Sequence, residues 1–193
     1  MKAPSQRRED LLDASIEYML EHGVADLSLR PLAAQVGSKA RLLIYHFGTR
    51  EALIASAMLV VRQRVQKAFA AVVDQGQGRT PAEIMQAFWQ WATSPRHERY
   101  LRLFFEVHGL ALQKPAEYGH YLEGAVISWV DMMATTLPPH LSVKTRRELA
   151  TLAVSTVLGL LLDCLSSRDK KRTSEALALF ASGFDKYVAL ASR

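Results

Sequence analysis

Apolar residues recur at steps of three and four along the whole chain, and no segment alternates apolar with polar residues. That period belongs to helices with one buried stripe and leaves no room for strands. The fold class expected is therefore all-α, and the punctuation divides the chain into nine helices. The first is expected from about Ser5, as N-cap, to His22, closed by Gly23. The second starts at Ser28, with Pro31 in the tolerated first turn, and stops near Val36. The third covers about Lys39 to Phe47. Gly48 and Thr49 break it, and Thr49 caps a long fourth helix running to about Gln75. "GQGRT" reads as a loop, and "TPAE", Thr80 to Glu83, is a capping box with proline at N1 that opens the fifth helix. A sixth is expected from about His97 to Leu112. A seventh runs from Pro115 to the Pro138-Pro139 pair, and an eighth from about Val143 to Ser167. "RDKKRT" reads as a charged loop before a ninth helix at about Ser174 to Ala191.

A chain of 193 residues suits one domain or two small ones and buries roughly 70% of its unfolded surface, so it needs no staples. Its longest uncharged apolar stretch lies between Glu148 and Asp163, short of the ~20 residues that span a bilayer. The start, "MKAPSQRREDLL", lacks an apolar signal-peptide core. The single cysteine, Cys164, has no partner for an internal disulfide. These features lead to the expectation of a cytoplasmic protein without a membrane span.

The formal charge of +5 is compatible with a polyanionic partner without requiring one. Its distribution says more. Between Asp26 and Glu51 there is no acidic residue, while Arg30, Lys39, Arg41 and Arg50 fall there. Glu9, Asp13, Glu17 and Glu21, at four-residue steps, form a solvated stripe on the preceding helix.

Within that basic window stands "GSKARLLIYHF", residues 37 to 47. At about 100° per residue, Ala40, Leu43, Ile44 and Phe47 gather on one side of a helix, and Arg41, Leu42, Tyr45 and His46 on the other. The first set is expected to pin the helix to its neighbours and the second to remain free. Leu32, Ala33 and Val36 make the preceding short helix apolar. Gly37 permits the positive φ of a tight inter-helix turn, and Ala33 is small enough for close approach. A short helix, a glycine turn and a second helix with a chemically varied outer face form a helix-turn-helix, whose second helix enters the major groove.

From Ser28 to Leu53, "SLRPLAAQVGSKARLLIYHFGTREAL", the chain resembles the TetR family of transcriptional regulators. Ser28, Gly37, Tyr45-His46-Phe47 and Arg50 meet the family pattern; Arg41, Leu42 and Ile44 depart from it. The family usually has a small residue, Thr or Ser, and Tyr at those three positions, so Tyr45 is expected to supply the phosphate contact usually made from position 44. The resemblance implies a three-helix DNA-binding domain, residues 1–48, and a larger effector-binding and dimerisation domain, residues 49–193. It implies a ligand-responsive regulator, a repressor by preference, binding a palindromic operator in double-stranded DNA as a homodimer. Of the DNA-binding candidates, Arg41 suits a bidentate contact to guanine and Leu42 a thymine methyl. Lys39, Tyr45, His46 and Arg50 suit phosphates beside the fourth helix's N-terminus. Arg30 and the arm residues Lys2, Arg7 and Arg8 suit backbone or minor groove. Each of these cations also has a bland reading as a solvated surface charge.

The larger part is rich in Phe88, Trp89, Trp91, Phe104, Phe105, Tyr118, Tyr121 and Trp129, with Met85, Met132 and Met133. A helical core and an effector cavity both account for them. The cavity reading, by analogy with the family, selects Trp89, Phe104, His108, Tyr121 and Trp129 as the small-molecule effector's contacts. His108 supplies a polar group there or sits as a satisfied core histidine. The apolar faces of the eighth and ninth helices, with Gly159 and Gly183 for close approach, need either the chain's own core or a second subunit. The resemblance implies the second subunit. Cys164 reads as a small hydrophobe, with a redox role as the alternative.

No catalytic reading survives. "EYGH", Glu117 to His120, fits one Glu-x-x-His step of a di-iron bundle, with no second copy. The six histidines are scattered without metal-ligand spacing, and no phosphate loop or nucleophile elbow is present. No enzyme activity, metal or cofactor is expected. The rival reading is a helical ligand-binding or scaffold protein that has lost DNA binding.

Overall fold

The computed structural model describes residues 4–74 and 79–191, and every regular element among them is a helix. In chain order these are α1 (Pro4–His22), α2 (Leu29–Gln35), α3 (Ala40–Phe47), α4 (Arg50–Asp74) and α5 (Pro81–Ala92). They continue with α6 (Glu98–Gln113), α7 (Pro115–Ala125), α8 (Ile127–Thr135), α9 (Val143–Ser167) and α10 (Lys170–Ala191). The all-α expectation holds. The expected seventh helix is divided at Val126 into α7 and α8. The expected fourth-helix end at Gln75, the loop glycines Gly76 and Gly78, and Lys2 of the arm lie outside the described residues.

Gly23, Gly37 and Gly48 close α1, α2 and α3 with φ of 74°, 63° and 81°. These are left-handed values that side chains resist. Thr49 caps α4 by accepting from the Ala52 amide at 3.0 Å. The capping box at α5 is complete. Thr80 Oγ1 accepts from the Glu83 amide at 3.2 Å, and Glu83 Oε2 accepts from the Thr80 amide at 2.7 Å.

The "RDKKRT" loop is shorter than its charges imply. Only Arg168 and Asp169 separate α9 from α10. Arg168 adopts φ 59°, and Asp169 accepts from the Arg172 amide at 3.0 Å, capping the new helix. Arg172 reaches back to both oxygens of Asp163 at 2.9 and 2.7 Å. The Arg172 charge is paired within this turn, and the helix starts four residues earlier than its apolar pattern does.

The chain forms two compact units, Met1–Val65 with Arg99–Gly124, and Gln66–Glu98 with Ala125–Arg193. In the first, Leu11, Ile16, Met19, Val24, Leu32, Leu43, Leu53, Ile54, Leu103 and Tyr118 are buried. Exposed acids of α1 pair with cations there: Asp13 with Arg64 at 2.5 Å, and Glu17 with Arg99 at 3.3 Å. In the second unit α8, α9 and α10 pack together, and α5 packs on α9 and α10. Asp185 of α10 accepts from the Ala82 amide in the first turn of α5 at 3.0 Å, and Trp89 donates from Nε1 to Ser174 Oγ at 2.8 Å. Among the described helices α9 is long and apolar enough to cross a membrane, by length and composition alone. Its Leu149, Ala150, Ala153, Val157 and Leu161 are buried, while Leu152 and Leu162 on another face are about half exposed.

Candidate nucleic-acid interface and effector cluster

The sequence from Leu29 to Phe47 folds as two short helices because each buries only two side chains deeply. Leu32 and Ala33 of α2 and Leu43 and Phe47 of α3 are at most 8% exposed. The turn between them is closed by the Ser38 amide donating to the Ala33 carbonyl at 2.8 Å. Nothing lies within 4 Å of a Cβ built on Gly37. That glycine is required by its φ and not by crowding.

On α3, Arg41 and Tyr45 point outward, and Tyr45 is 80% exposed. The expectation for Ile44 is corrected: it is half exposed and stands beside Arg41 at the edge of the outer face. Burial on so short a rod covers only the arc centred on Leu43 and Phe47, and Ile44 falls beyond its edge. Leu42 and His46 are half-buried on the other flank, with His46 edge-on to Tyr45 at 5.1 Å. Arg30 and Lys39 are exposed. Arg8 is also occupied, its guanidinium 4.8 Å from the centre of the Phe47 ring.

Arg50 differs from the free phosphate contact expected of it. Its Nη2 donates to the carbonyls of Val24 and Ala25 at 2.5 and 3.1 Å, and its Nη1 meets Glu51 at 3.2 Å. The amides of the same two residues donate to Glu106 Oε1 of α6, at 2.8 and 2.6 Å. The turn after α1 is thus held by a cation on its carbonyls and an anion on its amides, both charge-assisted bonds. Glu106 was not singled out from the sequence. Its one signal there is an acid inside the otherwise apolar run "LFFEVHGLAL".

Of the five effector candidates, the structure brings three together. Phe104 and His108, one turn apart on α6, stack at 5.5 Å and 23°, and Tyr121 of α7 meets His108 edge-on at 6.1 Å. Tyr121 is 5% exposed, and neither its hydroxyl nor the buried His108 Nδ1 has a hydrogen-bond partner. Burial lowers the His108 pKa and so favours the neutral imidazole. Burial also pushes the Tyr121 phenol far up, against the opposing charge of Arg62. Arg62 is seated over Gly124, its Nη1 2.6 Å from where a Cβ would stand. Trp89 and Trp129 belong to the other unit. Trp89 is buried and bonded to Ser174, and Trp129 contacts Phe88 at 5.4 Å.

Residues 11–57 match the family described as bacterial regulatory proteins, tetR family. Solved structures share the fold over nearly the whole chain. A transcriptional regulator from Rhodococcus sp. Rha1 superposes with a TM-score of 0.74 at 18% identity, over 92% of this chain and 95% of that one. The multidrug binding protein EbrR, complexed with imidazole, gives 0.65 at 24%, over 89% and 92%. A proposed transcriptional regulator from Streptomyces coelicolor A3(2) gives 0.62 at 27%, over 91% and 98%. No curated protein matches the chain. Residues 11–57 thus form an N-terminal domain of the tetR type, and the solved structures share the fold of the whole chain. Regulators of this family are ligand-responsive DNA-binding proteins, not enzymes.

Proposed function

We propose that the protein is a homodimeric repressor that binds a palindromic operator through α3 of each subunit and is released by a small apolar or aromatic effector. Residues 1–48 serve as the reading domain and 49–193 as the effector-binding and dimerisation domain. The observation that carries the DNA reading is the outer face of α3. Arg41, Ile44 and Tyr45 stand exposed there while Leu43 and Phe47 fix the helix from behind. An aromatic ring left 80% in solvent beside a guanidinium serves no core. Arg41 and Ile44 read base edges, while Lys39, Tyr45 and Arg30 hold phosphates.

The dimer reading draws on α9 and α10. Leu152 and Leu162, then Leu179, Tyr187 and Leu190, are exposed by 49% to 77%, and no atom lies within 4 Å of a Cβ built on Gly159 or Gly183. Two such helix pairs make a self-complementary face and set two reading helices about 34–36 Å apart or slightly more. The effector reading rests on the Phe104, His108 and Tyr121 cluster. An effector shifts the operator equilibrium only by its differential affinity for the two states. Selecting bound sequences from random DNA, then screening small molecules for release, tests the whole reading. Recovery of no enriched palindrome counts against it.

A further inference from the structure

We infer that the ligand of the α6–α7 cluster is a planar aromatic acid, its ring extending the Phe104–His108 stack and its carboxylate or phenolate facing Tyr121 and Arg62. This rests on the effector reading above and gives it a chemical class.

Buried polar atoms in folded proteins almost always have partners. Here two lack them within one cluster, the Tyr121 hydroxyl and His108 Nδ1. They belong to rings 6.1 Å apart on adjacent helices. A buried phenol stays protonated, so Tyr121 offers an O–H that needs an acceptor. A neutral imidazole presents one N–H and one bare nitrogen, and its Nδ1 serves either role according to tautomer. The charge acting on Tyr121 is that of Arg62, whose guanidinium reaches over Gly124, with Nη1 2.6 Å from where a Cβ would stand. The acid nearest along α6, Glu106, already accepts two bonds from the turn after α1. A cationic ligand therefore finds no counter-charge among these groups. An anionic one finds a guanidinium and a phenolic donor. The flat Phe104–His108 pair, with Tyr121 edge-on, selects a planar ring for the remainder.

The test uses the full chain without DNA, and three probes of one shape: 2-naphthoate, 2-naphthamide and 2-naphthylmethylamine. Binding is measured by calorimetry and by the rise in thermal midpoint. The expected order is naphthoate first, the amide about tenfold weaker or more, and the amine weakest. Tyr121→Phe and Arg62→Gln each weaken naphthoate by about tenfold, Arg62→Lys restores part of that loss, and Trp89→Phe leaves it unchanged. Tighter binding of the amine, no saturable binding of naphthoate, or unaltered naphthoate affinity in both Tyr121→Phe and Arg62→Gln overturns the inference. Binding of the amine or amide alone sinks the acid class while leaving an effector site in place. Operator selection, done separately, stands or falls on its own.

Discussion

Glu106 Oε1 lies 2.8 Å from the Val24 amide nitrogen, across 82 residues of sequence. Through that bond and its twin to Ala25, α6 holds the turn that leads from α1 to α2. Phe104 and His108, of the proposed effector site, flank Glu106 on the same helix, so a ligand there acts on the rod that positions the turn.

Removing the carboxylate tests this. Glu106→Ala is expected to lower stability by roughly 1–3 kcal/mol, measured by urea unfolding, and to speed hydrogen exchange at the Val24 and Ala25 amides. Operator affinity should fall further than affinity for random DNA, because the reading helix is misplaced and its charges are kept.

Base reading and charge separate by residue. Arg41→Ala should cost about 1–3 kcal/mol of discrimination at one position per half-site. Lys39→Ala should weaken all sequences alike and reduce the salt slope by about one. Titrations at several salt concentrations distinguish the two, and an Arg41→Ala protein of unaltered selectivity removes Arg41 from the base-reading role.

Ile44 and Leu43 are neighbours with opposite duties. Leu43→Ala is expected to destabilise the fold by about 2–5 kcal/mol, since Leu43 is fully buried. Ile44→Ala should change stability by less than about 1 kcal/mol yet alter preference at thymine-bearing positions of the selected operator.

The outer faces of α9 and α10 give a prediction on assembly. Leu179→Glu, at a position 77% exposed, should leave the monomer's helicity intact and shift sedimentation from dimer to monomer. Operator affinity then falls because two half-sites are no longer engaged together.

The turn between α9 and α10 has a pH signature. Hydrogen bonding and charge from Arg172 hold the Asp163 carboxyl below the usual carboxylate range. A depressed folded pKa means the pairing is complete above the unfolded value and is lost as pH falls through the folded one. Carboxyl chemical shifts of Asp163 should titrate low in the native protein and return toward the ordinary value in Arg172→Gln.

Much of this was legible from the residues. Gly23, Gly37, Gly48 and the Thr80 capping box act through the local backbone, so they mark helix ends without tertiary knowledge. Leu43 and Phe47 follow from helical period alone. Ile44 does not, because period gives a direction while burial depends on how wide an arc the neighbours cover. Arg50 and Glu106 were obscure for a different cause: their partners are backbone atoms of Val24 and Ala25, which carry no side-chain signal. The start of α10 was hidden because Asp169 and Arg172 look like solvent-seeking charges until their capping bond and the Asp163 pair are seen. The split of the five effector candidates between two compact units is likewise a matter of packing, which aromatic composition does not encode.

Gly23 makes room for the Glu106 carboxylate: Oε2 sits 2.8 Å from where a Cβ would stand. One oxygen, Oε1, accepts both amides, so a carboxylate that withdraws gives up the two bonds together. Under the proposed function, that shared anchor favours an on-or-off response over a graded one.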